Sequence, residues 1–172
     1  MIMSLTIADQ YYLKAVDSYP YDLEQVTEAL NYALSYDNEH CQANCLMGRL
    51  HMEVLKNFDT AEHYFETAIV ANLQYVDTYK YFSLLKIWKG EFKQAMRIIE
   101  YGLKIKGMDI ACLIQRKALI YEAKGFLELS KSHIEVALAS SVKDEYVVFF
   151  ENEINRLKKK IKKSKHRKVL VI

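Results

Sequence analysis

Proline is almost absent from this chain of 172 residues: Pro20 stands alone, and there are only five glycines. A β-sandwich or barrel needs a turn about every 8–12 residues, so breakers this scarce exclude one and favour long helices joined by tight turns. No stretch reaches the roughly 18 apolar residues of a membrane span. The opening MIMSLTIADQ has neither a basic n-region nor an apolar run of signal length, so a cytoplasmic chain is expected. Cysteine is sparse and odd in number, at Cys41, Cys45 and Cys112, which suits free thiols in a reducing compartment.

Recognisable catalytic and cofactor motifs are missing as well. No G-x-x-x-x-G-K-[ST], G-x-G-x-x-G or H-E-x-x-H occurs. Cys41 and Cys45 lie four apart beside His40, but helical spacing points His40 and His51 away from a centre shared with both thiols. A structural zinc site needs four converging ligands, so buried small thiols are the simpler reading. His63 and His133 read as partly exposed surface residues, and no serine or cysteine has a base close in sequence. Catalytic residues, metal and cofactor are therefore not expected, and neither is an enzyme.

What is present begins with a composition of 51% hydrophobic and 27% charged residues, that of a folded domain. The formal net charge of +2 conceals an asymmetry. Nine of the 24 Lys/Arg fall between Arg156 and Lys168 without an acid, so residues 1–155 hold the other fifteen bases against all 22 acids, near −7 against +9.

The sequence also repeats. NFDTAEHYFETAI from Asn57, GEFKQAMRIIEYGL from Gly90 and GFLELSKSHIEVAL from Gly125 align, with a weaker copy, YDLEQVTEALNYAL, from Tyr21. Each carries a small or slender residue, a bulky one four later and a small one three beyond. The triplets are Val26/Leu30/Ala33, Ala61/Phe65/Ala68, Ala95/Ile99/Gly102 and Ser130/Ile134/Ala137, whose last members are 35, 34 and 35 apart. This spacing places all three on one helical face, where small ends admit a neighbouring helix and the bulky middle fills the gap.

A period near 34 residues with this pattern resembles the tetratricopeptide repeat family over residues 5–141. Met47-Gly48 matches the family's leucine-glycine step, with His51 in the aromatic slot. Tyr79, Phe82 and Ser83, and Ile114, Ala118 and Tyr121, take corresponding places in later repeats. Gly48 and Gly102 are then close-contact positions, while Gly90, Gly125 and Gly107 are turns. The chain departs from the pattern in lacking the closing proline, in Lys117 at a leucine slot and in one extra residue before Asn57.

The expected architecture is all-α: a right-handed α-solenoid of about four helix pairs (residues 1–141), a C-terminal capping helix (142–163) and a basic and apolar tail (164–172). Nine helices are expected, near 5–18, 22–35, 40–55, 58–71, 75–88, 92–105, 109–123, 127–140 and 143–163, with Pro20 stopping the first. In the last, Val147, Phe150, Ile154, Leu157 and Ile161 form a 3-4-3-4 apolar seam, widened by Tyr146 and Phe149. The seam suits a cap over the fourth repeat or a homodimer contact.

The resemblance implies that first helices line a concave groove that holds a partner segment. Carried over, that groove presents Tyr11, Ala15, Gln42, Cys45, Arg49, Met52, Lys80, Leu84, Trp88, Gln115, Leu119 and Glu122. Some relatives clamp a chaperone's C-terminal carboxylate. The matching places here hold Tyr11, Ala15, Leu46, Asp77 and Tyr81, so that clamp is missing. The expected function is a non-catalytic adaptor or scaffold that binds a protein or peptide segment in the groove. The alternative is binding of nucleic acid or an anionic membrane through Arg156, Lys158, Lys159, Lys160, Lys162, Lys163, Lys165, Arg167 and Lys168. The apolar Val169-Leu170-Val171-Ile172 that follows suits insertion into a groove or against a sheet edge.

Overall fold

A computed structural model describes residues 5–141 and 144–169, the side chains of 167–169 excepted. Leu170, Val171 and Ile172 lie outside the described residues, as do the side chains of Arg167, Lys168 and Val169. Among the described residues there are nine α-helices and no strand: α1 (Ile7–Ser18), α2 (Leu23–Tyr36), α3 (Cys41–Leu50), α4 (Phe58–Ala71), α5 (Val76–Trp88), α6 (Phe92–Gly102), α7 (Ile110–Ala123), α8 (Leu127–Ala139) and α9 (Asp144–Val169). The chain divides into two compact units, Met1–Leu85 and Lys86–Ile172, with the division inside α5.

Helix starts follow local chemistry. Thr6 and Asp9 form a reciprocal capping box on α1, and the side chains of Asp22, Asn57 and Asp109 accept from the third amide of α2, α4 and α7. His40 caps α3 in the same way through Nδ1, and its Nε2 meets Asp9 Oδ1 at 3.0 Å, tying the start of α1 to the start of α3. With Nδ1 accepting from an amide, Nε2 carries the proton and donates.

In the first unit α1 pairs with α2 and α3 with α4, while α3 also touches α1 and α2. Val26, Leu30 and Ala33 meet Ala15, Ala43, Leu46, Met47 and Leu50 in its core. All twelve triplet residues of the four repeats are buried. Phe65 is fully buried and stacks on Phe82, ring centroids 5.7 Å apart. Burial of one such ring contributes about 2–3 kcal/mol. It is possible here because Gly48 has no side chain: a Cβ there would sit 2.8 Å from the Phe65 ring.

The extra residue before Asn57 is absorbed by a π-helical turn, His51–Leu55, that continues α3. Lys56 follows in the left-handed region (φ +54°), and the Asn57 amide donates back to the His51 carbonyl at 3.0 Å. One residue too many for an α-turn is accommodated by widening that turn.

In the second unit α6 packs on α7, α7 on α8 and α8 on α9. Phe150, Ile154 and Leu157 of α9 join Ala111, Ala118, Ile134 and Ala137 in its core, and Ile161 is also buried. The apolar seam is thus filled inside the chain, and a second copy would have to displace those contacts. Two expectations are corrected here. The last helix continues past residue 163 to Val169, and Tyr146 and Phe149 do not widen the buried face, remaining 38% and 45% exposed. The sixth helix also ends earlier than expected, at Gly102, because a glycine at its end and the positive-φ Gly107 favour a turn.

Candidate binding cleft

Tyr12 and Val16 lie four apart on one face of α1, and Tyr19, the extended residue that follows its last turn, lines the same space. That face meets Gln42, Cys45, Leu46 and Arg49 of α3, while Tyr75, Asp77 and Tyr81, at and within the start of α5, close the third side. The three first helices of the first unit enclose a cleft of ≈ 330 Å³. Its four tyrosines are half-buried, and burial is the main cause raising the pKa of each hydroxyl. All four therefore stay protonated at neutral pH.

Arg49 is the centre of the cleft. Its guanidinium lies over the rings of Tyr19 (4.7 Å) and Tyr81 (4.1 Å), a double cation–π contact. One Nη meets Glu53 Oε2 at 3.3 Å, and the Tyr19 hydroxyl donates to the same carboxylate oxygen. Arg49 Nε is buried and has no acceptor among the described residues. Such a donor costs free energy until something accepts from it. Across the cleft, Lys80 Nζ donates to Asp77 Oδ1 at 2.9 Å, and the Tyr75 hydroxyl lies within reach of both Asp77 and the Tyr12 hydroxyl. Each charged side chain here faces an opposite charge, so the cleft carries little net charge.

The structure separates the residues expected in a groove. Gln42, Cys45 and Arg49 line the cleft. Tyr11 does not: its ring stacks on Tyr32 and Tyr36 of α2 (5.0 and 5.9 Å), and Ala15 is fully buried. The open face of α1 starts one residue later, at Tyr12. Met52 is 0% exposed and offers no surface, because it follows the start of the π turn and the wider turn carries it inward. On α5, Lys80 reaches the cleft through Asp77 and Leu84 is half-buried outside the lining. Trp88, 45% exposed, and the half-buried Leu119 and Gln115 belong to the second unit and take no part in this cleft. Tyr12, Val16, Tyr19, Tyr75 and Glu53 were not expected in the groove; the spacing of Tyr12 and Val16 marks a shared helical face, whereas Tyr19 lies beyond the helix end.

The thiols are inert by environment. Cys41 donates to the Ala68 carbonyl (3.3 Å), and burial pushes the Cys41 and Cys45 thiols up to about 11 and about 12. No group of three or more potential metal ligands occurs among the described residues. His51 stacks on Tyr64 at 5.5 Å, and burial lowers its pKa, keeping the ring neutral.

Part of the basic segment turns inward. Arg156 makes a bidentate pair with Glu122 (2.6 Å twice) and also meets Glu153, and Lys160 reaches Glu122 at 2.6 Å. These two cations and Glu122, one of the expected groove residues, are used inside the chain. Lys165 pairs with Glu128 at 3.1 Å, while Lys158, Lys159, Lys162 and Lys163 are exposed.

No protein-family model matches this sequence, and no curated protein matches it either. Among solved structures the chain is similar to the crystal structure of MamA, with a TM-score of 0.59 and 20% identity over 80% of this chain and 96% of that one. At that identity the likeness is one of fold. No helix among the described residues is long and apolar enough to cross a membrane. The all-helical hairpins, the buried small-large-small triplets and this neighbour together give the chain a tetratricopeptide-like fold of the α-solenoid class.

Proposed function

We propose that this chain is a non-catalytic interaction module that holds an extended protein segment in the cleft between α1, α3 and α5. The observation that carries the reading is Arg49: a guanidinium lying over two tyrosine rings and lining an open cleft. The guanidinium can donate to a peptide carbonyl, and half-buried tyrosines supply wide contact area at low entropic cost. Selection from a random peptide display library tests the reading. Binders should lose affinity when Arg49→Met or Tyr81→Leu is introduced, with helical content unchanged. If selected peptides bind both variants as well as the parent, the cleft is not the site.

A second reading rests on Lys158, Lys159, Lys162 and Lys163, whose two i,i+4 like-charge pairs disfavour the free helix and would be relieved by a phosphate-bearing polyanion. Affinity that falls steeply with salt and vanishes on replacing the four lysines by glutamine would support it; salt-insensitive or absent binding would end it.

A further inference from the structure

We propose that the occupant of the first unit's cleft is a proline-rich segment in the polyproline II conformation, an inference that rests on reading this cleft as a protein-binding site. Three properties of the cleft select that chemistry.

The walls are aromatic. Tyr12, Tyr19, Tyr75 and Tyr81 come from three different chain segments and face one space. Flat rings spaced around a groove suit pyrrolidine rings, which are rigid, apolar and disposed three to a turn along a polyproline II helix. Charge is balanced. Arg49 faces Glu53 and Lys80 faces Asp77, so neither an acidic nor a basic peptide finds an uncompensated partner. Burying a charged side chain there would carry a desolvation cost with little return.

Hydrogen bonding discriminates further. The Arg49 guanidinium lines the cleft as a donor, and the Gln42 side-chain amide adds donors and one acceptor on the same side of α3. The carboxylates already hold partners: Glu53 Oε2 accepts from Arg49 and Tyr19, and Asp77 accepts from Lys80 and Tyr75. An ordinary extended peptide brings one N–H per residue, and each buried one needs an acceptor. Proline has no N–H, and the carbonyls of polyproline II are free of internal hydrogen bonds. A cleft whose carboxylates already hold partners favours a segment that brings carbonyls and few amides. Such a segment is also pre-organised, so less ordering entropy opposes binding.

The test uses the full chain and two synthetic peptides of about nine residues, roughly three polyproline turns. One is all proline and the other a glycine-serine sequence of equal length. Isothermal titration should show binding of the proline peptide only, weakened roughly tenfold by Tyr81→Leu and by Tyr12→Leu. Shifts of the tyrosine ring protons in the unsubstituted chain provide a readout that does not depend on a variant folding. Failure of the proline peptide to shift those rings, while peptides from the display selection bind and are lost in Arg49→Met, overturns the proline assignment and leaves the cleft as the site. Failure of every peptide to respond to the cleft substitutions overturns both. Equal affinity for the two synthetic peptides also refutes the proline preference.

Discussion

Replacing Gly48 by alanine isolates the contact on which the first unit depends. On helix propensity alone this change inside α3 should stabilise by about 0.8–1 kcal/mol. The structure says otherwise. The new Cβ would lie 2.8 and 2.9 Å from two atoms of the Phe65 ring and 3.1 Å from a third, closer than carbon atoms pack. Phe65 cannot swing away, since it is fully buried and stacked on Phe82. Overpacking of this kind costs about 1–3 kcal/mol. With the propensity gain subtracted, the net loss is about 0–2 kcal/mol, and a chain of this size loses about 2–4 °C in melting temperature per kcal/mol. Thermal and urea unfolding followed by far-ultraviolet circular dichroism would measure it. Phe65→Leu should be destabilising by itself because it leaves a cavity, yet adding Gly48→Ala to it should cost about 1 kcal/mol less than the sum of the two. A Gly48→Ala chain that melts above its parent, or costs that add fully, would refute the close-contact argument.

Glu122→Gln should destabilise the chain by about 1–2 kcal/mol after allowance for the exposure of Arg156 and Lys160. Because Arg156, then Lys160, hold the Glu122 carboxyl down at about 2, its contribution is complete above about 4.5 and lost as pH falls toward 2. The melting temperatures of parent and variant should converge across that window, and a constant gap would count against the pairing. Asp9, held at about 2 by Thr6 and then His40, should make Asp9→Asn converge with the parent between about 3.8 and 2. In a thiol-labelling assay at neutral pH, Cys112 should react first, while Cys41 and Cys45 react no faster than the chain unfolds. Met52→Ala should cost about 2–5 kcal/mol in unfolding while leaving the affinity of the folded chain for a cleft-binding peptide unchanged.

The helical class and the repeat were legible in the sequence because they depend on spacing alone. Small-large-small triplets near a 34-residue period can bury their faces only as stacked hairpins, and Gly48 announced a close contact without naming Phe65 as the partner. Hydrophobic periodicity likewise located the buried side of α9. The open side of each helix is a different matter. A shift of one residue turns a helical face by about 100°, and that shift is what separates Tyr11, stacked on α2, from Tyr12, open to the cleft. The extra residue before Asn57 was visible as a count, but only packing decided that it becomes a π turn and draws Met52 into the core. Glu122 and Arg156 are 34 residues apart, and their pairing depends on how α9 lies along its unit. Local spacing determines which residues must be buried, since burial on a helix is periodic. Which polar and aromatic residues then meet is set by the rotation and offset of packed helices, quantities that no single segment of the chain contains.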